Sequence, residues 1–141
     1  MLDEINEQII DILREDGRSS NASIARRLGM SEGTIRRRLN MLINSGIVKV
    51  NVILDPAKMG LSTEAIIGIQ VDPDKVDTVG ECLAKLNEIE WVSITTGSFD
   101  MFVWVTVQSA EQLGFFLRNE VATIPGVRKT ETFMNLFKKK L

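Results

Sequence analysis

The chain has no histidine, no tyrosine and a single cysteine, Cys82. Histidine is the commonest zinc ligand and the usual general base near neutrality, so its absence removes both chemistries, and a lone cysteine closes no internal disulfide. No metal site, cofactor or enzymatic activity is expected. The apolar runs fall far short of the roughly 18 residues needed to cross a bilayer. Met1-Leu2-Asp3-Glu4 is acidic where a signal peptide would be basic. A cytoplasmic protein without a membrane partner is therefore expected. What remains is 141 residues, 44% hydrophobic and 26% charged, the composition of a folded protein with room for one ordinary domain or two small ones.

The net charge of -2 conceals an uneven distribution. Between Gly17 and Val50 the cations are Arg18, Arg26, Arg27, Arg36, Arg37, Arg38 and Lys49, against one anion, Glu32; residues 61–141 are net acidic. A basic patch at one end of an acidic chain is an electrostatic footprint for a polyanion. Two modules with different partners are implied.

Leu2, Ile5, Ile9, Ile12 and Leu13 recur at helical spacing and predict an amphipathic helix over 2–15, closing near Asp16-Gly17. Ala22, Ile24, Ala25 and Leu28 supply the apolar side of a second helix, and Ile35, Leu39 and Leu42 that of a third. Ser20 and Ser31 are placed to cap these two helices, which meet at Gly29-Met30-Ser31, and Gly46 ends the last. Two short helices joined by such a turn, the second bearing three arginines, have the shape of a helix-turn-helix DNA reader. Ile47 to Leu54 then alternates, with Val48, Val50, Val52 and Leu54 on one side, and predicts a connecting strand before Asp55-Pro56.

After Gly60 the pattern changes. Strands are expected over 64–71, 91–96, 100–108 and 127–136, with helices over 74–86 and 110–122. Two strand-helix-strand halves form the split βαβ arrangement of a ferredoxin-like domain. With both helices on one face of the sheet, apolar positions such as Ile67, Ile69, Phe102 and Trp104 are expected on the other. A second subunit is the usual cover for such a face, so a homodimer is predicted. The organisation is thus α+β: a helix-turn-helix domain over 1–46, a connecting strand and linker over 47–60, and a second domain over 61–141.

At about 100° per residue, Arg37 points away from the Ile35, Leu39, Leu42 stripe, with Gly33 and Asn40 beside it, while Arg36 and Arg38 flank the stripe on opposite sides. Outward residues of a recognition helix meet base edges, and flanking cations meet phosphates. Arg37, Thr34 and Asn40 are assigned to bases. Arg18, Ser19, Arg36 and Arg38 are assigned to the backbone of double-stranded DNA, Ser31 caps the helix at the interface, and Gly33 allows close approach. Three arginines alone also fit a solvated helix face; the caps, the turn and the clearing of anions decide for DNA. The C-terminal Lys138-Lys139-Lys140 is read as a solvated tail.

From end to end the chain resembles the Lrp/AsnC family of transcriptional regulators. The resemblance is carried by Leu2-Asp3, Ile9, Ile12, Leu13, Gly17-Arg18, Ile24-Ala25, Leu28-Gly29-Met30-Ser31, Ile35, Arg38, Leu42 and Gly46. It continues through Leu54-Asp55-Pro56, Gly60, the Thr96-Gly97-Ser98-Phe99-Asp100 turn and Ile124-Pro125-Gly126-Val127 with Thr130 and Thr132. It implies a winged-type DNA-binding domain and a ligand-binding domain that dimerises through its sheets and assembles further, for example into octamers. It also implies a small effector, an amino acid, held near Thr96, Gly97, Ser98, Phe99, Asp100, Thr130 and Thr132. The family's turn carries an acidic and a tyrosyl residue where Ser98 and Phe99 stand here, so polar anchors are lost and a relative's effector does not transfer. On the residues alone, the turn also reads as a plain hairpin closed by Gly97 and capped by Asp100.

Two alternatives stand beside this reading. One is an amino-acid sensor or architectural protein without a specific operator. The other is an enzyme like the siroheme decarboxylases, which resemble the same two-domain layout but lean on histidine, absent here.

Overall fold

The computed structural model describes residues 2–140, which form two compact units dividing between Ile53 and Leu54. The first holds α1 (Glu4–Glu15), α2 (Asn21–Leu28) and α3 (Glu32–Asn44). Each helix begins on a side chain that accepts from an otherwise unpaired N–H: Asp3 from Asn6, Ser20 from Ser23 and Ser31 from Thr34. Because extended Asp3 is the cap, the helix expected from residue 2 starts at Glu4. Gly29, at φ 65°, ends α2 in the left-handed conformation that permits the tight turn into α3. Ile9, Ile12, Ile24, Ala25, Ile35 and Leu42 close one small core between the three helices.

The connecting strand expected over 47–54 is not present. Residues 48–55 form no helix, strand or turn. After Val48 N–H donates to Leu42 O, the backbone of 49–54 makes no hydrogen bond to other backbone among the described residues. Alternation is necessary for a strand but not sufficient, since a ladder also needs a second backbone edge. Both parities of the segment are therefore bare, with Val52 84% and Ile53 75% exposed.

In the second unit, β1 (Thr63–Val71), α4 (Val76–Ala84), β2 (Ile89–Ile94), β3 (Met101–Val107), α5 (Ala110–Phe116) and β4 (Val127–Met134) follow in turn. The strands form one antiparallel sheet in the order β2-β3-β1-β4, the ferredoxin-like arrangement. Apolar side chains of β1 and β3, including Ile67, Ile69, Val103 and Val105, join Val79 and Leu83 of α4 and Leu113 and Phe116 of α5 in its core.

This corrects the expected face of β1. Ile67 and Ile69 are fully buried in the core, and it is Ile66 and Gly68 that share the open face with Phe102 and Trp104. The run from Ala65 to Ile69 is apolar at both parities, so alternation alone leaves the side undetermined. The helix expected over 110–122 is also altered. It is α-helical to Phe116 and then widens over Leu117–Val121, where Ala122 N–H reaches Leu117 O. Asn119 and Thr123 side chains donate to Phe115 O and Asn119 O, the carbonyls that a regular α-turn there would use.

Candidate nucleic-acid interface and effector turn

The exposed side of α3 is set by its buried one. With Ile35 and Leu42 in the core, Gly33, Arg36, Arg37 and Asn40 face solvent. Apart from its chain neighbours and the backbone of α3 itself, no atom among the described residues lies within 4 Å of where a Cβ on Gly33 would stand, so this turn of the helix is open to a close neighbour. Ser31 Oγ accepts from Thr34 N–H at 3.2 Å and lies 2.7 Å from Thr34 Oγ1, which ties the expected base-reading hydroxyl into the cap. Arg36 pairs with Glu32 one turn earlier at 2.7 Å; both side chains are more than half exposed, so the pair is weak and readily exchanged for a phosphate. Arg18 is exposed and Ser19 half-buried, with the backbone N–H groups of both held by Asp16.

Arg38 differs from its neighbours. Three residues after Ile35 and four before Leu42, it lies along the buried side of α3, its side chain 22% exposed. Its Nη1 donates to Asp3 Oδ2 at 2.6 Å and to Asn6 Oδ1 at 3.1 Å, and its Nε is buried with no acceptor among the described residues. The phosphate contact expected of Arg38 thus meets a guanidinium already held by α1. That guanidinium, with the Asn6 N–H, holds the Asp3 carboxyl below the usual carboxylate range. Asn6, which stands where many members of the family have aspartate and bears on a helix contact but on no expected site, is the second acceptor.

The 95–100 turn joins β2 to β3. Gly97 has φ 105°, and Thr96, Gly97 and Ser98 are exposed. Asp100 Oδ2 accepts from Val71 N–H at 2.8 Å, and Gln70 Nε2 donates to Ser98 O at 2.8 Å. One carboxylate oxygen of Asp100 therefore closes the end of β1, while the turn itself is closed by backbone, Thr95 N–H donating to Asp100 O, and not by the Asp100 side chain that the plain hairpin reading assigns as its cap. Phe99 turns onto the open sheet face above Gly68, edge-on to Phe102 and Phe133 at centroid distances of 5.6 and 6.3 Å. Thr130 and Thr132 pair with Ile69 and Ile67, and so belong to the helix-facing side of β4. The turn's exposed atoms and these two threonines are not brought together within one subunit on a single face.

Farther along the open face, Trp91 and Trp104 lie 6.3 Å apart, and Trp104 Nε1 donates to Glu64 Oε1 at 3.2 Å. Lys138, expected in a solvated tail, instead folds back. Its Nζ sits 2.9 Å from Glu64 Oε1 and 4.8 Å from the Trp104 ring centroid. The face remains largely apolar and open, with Trp91 and Phe133 each 44% exposed.

Comparison with known proteins bears on both units. Residues 2–49 match the model of a winged helix-turn-helix DNA-binding domain, and residues 64–140 match that of the Lrp/AsnC ligand binding domain. An uncharacterized HTH-type transcriptional regulator of Pyrococcus furiosus is 42% identical over 133 residues, 94% of this chain and 90% of that protein. The structure of E. coli AsnC is similar with a TM-score of 0.90 at 25% identity, covering 100% of this chain and 96% of that one. A Neisseria meningitidis transcriptional regulator, described as a complex with L-Met, shares the fold with a TM-score of 0.91 at 23% identity, covering 100% and 94% of the two chains. Among the described residues no helix is long and apolar enough to cross a membrane.

Proposed function

Since the chain belongs to the Lrp/AsnC family of transcriptional regulators, we propose that it reads a specific operator through α3 and is regulated by an amino acid at its second domain. The observation that carries the first part is the capped, anion-poor α2–α3 pair presenting Arg36, Arg37 and Asn40 outward. Arg37, Thr34 and Asn40 meet base edges, Arg18, Ser19 and Arg36 meet phosphates, and Gly33 lets the duplex approach. Residues 1–46 act as the reader, 47–60 as the linker and 61–141 as the effector and assembly domain. The protein works in the cytoplasm as a regulator, not as an enzyme.

The apolar open face of the sheet supports a homodimer closed over Phe102, Trp104 and Phe133, from which larger rings such as octamers are built. The effector sits at the exposed backbone of Thr96, Gly97 and Ser98, with the Asp100 oxygen not bonded to Val71 facing its ammonium group. Thr130 and Thr132 line the same cleft only once subunits assemble. Effector binding alters DNA affinity by favouring one assembly over another, which requires different affinities for the two.

The test is a binding series against duplexes enriched from a randomised pool. Affinity is expected to fall steeply with salt, by about 0.9 in log-log slope per phosphate neutralised, and to shift when one of the free amino acids is added. Salt-insensitive binding, or no response to any amino acid in thermal shift and light scattering, overturns the corresponding half of the proposal.

A further inference from the structure

We infer that Arg38 is a positioning residue which locks the rotation of α3 against α1, and so sets where Arg37 points, instead of contacting DNA itself. This rests on the DNA-reading function proposed above. A carboxylate has two oxygens, and at Asp3 both are engaged: Oδ1 accepts from Asn6 N–H at 2.8 Å and caps α1, while Oδ2 accepts from Arg38. The start of α1 and the middle of α3 therefore hang on one side chain. Asn6 adds a second acceptor to the same Nη1, so the two N–H groups of one planar nitrogen tie the first turn of α1 to the middle of α3. Swinging Nη1 towards a phosphate would abandon both acceptors.

The burial supports the same assignment. Arg36 is 57% exposed at its side chain and Arg38 22%, and the Arg38 Nε is shielded from solvent without an acceptor among the described residues. A group that served DNA through its charge would gain from exposure. A group that serves by fixing geometry gains from confinement. Asp3, Asn6 and Arg38 line one shallow cleft with Arg37 and Met41, so the clamp adjoins the residue whose direction it controls.

The experiment compares Asp3→Asn, Arg38→Met and the double variant with the unmodified chain, on a duplex that the unmodified chain enriches from a randomised pool and on a scrambled duplex. Each single variant is expected to lose roughly tenfold in affinity for the enriched duplex, the scale on which coupled networks act. The double variant should lose no more than either, because both ends belong to one contact. The salt slope should not change, and binding to the scrambled duplex should be little affected. If Arg38→Met lowers the slope by about 0.9 while Asp3→Asn, which removes an anion, tightens binding, Arg38 is a phosphate ligand and the inference is wrong. Losses that add in the double variant overturn it equally. Helical circular dichroism checks that each variant is folded; should Arg38→Met fail, Asp3→Asn decides by the sign of its effect, since asparagine still caps α1. If the unmodified chain enriches no sequence, the operator-reading proposal falls first and the clamp's role in DNA recognition falls with it.

Discussion

The ring of Phe99 lies so close over Gly68 that a Cβ on the glycine would stand 2.8 Å from the ring's Cγ. No contact of that length persists, so any side chain at 68 must displace the aromatic group that joins the turn to the open face. Gly68→Ala is expected to destabilise the second unit by about 1–3 kcal/mol, the range for overpacking a filled site. Urea unfolding measures it. Adding Phe99→Leu should recover part of the loss, and an unchanged midpoint in Gly68→Ala would mean that the ring moves freely.

Gly33 presents the opposite case. Space at its Cβ is open, and glycine inside a helix costs about 1 kcal/mol relative to alanine. Gly33→Ala should therefore raise the melting temperature of the chain while weakening DNA binding. A stabilised protein with undiminished affinity would show that the duplex does not approach α3 at this turn.

Arg37 and Arg36 should separate by kind of loss. Arg37→Ala is expected to relax base preference at a bounded position of the operator, by about 1–3 kcal/mol of discrimination. Arg36→Ala should weaken all sequences alike and reduce the salt slope by about 0.9. Enrichment experiments with each variant read both quantities, and equal losses on every sequence from the two variants would contradict the assignment.

The pairing of Asp3 with Arg38 has a pH signature. A carboxyl held below its ordinary value binds fewer protons folded than unfolded in acid, so its contribution is complete above the ordinary value of about 3.9 and disappears as pH falls through the lowered one. Thermal melts between about pH 5 and pH 2 should thus show a steeper decline for the unmodified chain than for Asp3→Asn. Parallel curves would mean the ion pair adds nothing to folding.

A charge on the open sheet face tests assembly. Phe102→Glu places a carboxylate between Phe99 and the uncovered aromatic surface, where a closed interface would have to desolvate it. Sedimentation should show subunits in place of dimers, with the far-ultraviolet dichroism retained.

How far these features were readable from sequence follows from the distance over which each is determined. The α2–turn–α3 unit was legible because its signals are local: Ser20, Gly29 and Ser31 act on backbone groups within a few positions. The strand-helix order of residues 63–134 was legible for the same reason, through periodicity. The side on which β1 buries itself was not, because Ile66 and Ile67 are equally apolar and only packing against α4 and α5 chooses between them. The pairing at 47–54 was misjudged because alternation says nothing about whether an edge is available. Arg38 is the clearest case at the candidate site. Its spacing from Ile35 and Leu42 already placed it along the buried side, but the partner that claims it lies 35 residues away in the chain. Asp100 is similar: its place in the sequence suggests a cap on its own turn, and its acceptance from Val71 is visible only once β1 is laid beside it.

The bare backbone that follows Val48 has a practical consequence. A protease needs an extended, unbonded stretch to thread its cleft, and residues 49–54 offer one between two separately cored units. Nicking there becomes a clock: rapid cleavage reports that the stretch is vacant, and slow cleavage that another backbone has come to lie along it. The same cut would liberate the operator-reading half from the sensing half, allowing each to be titrated without the other.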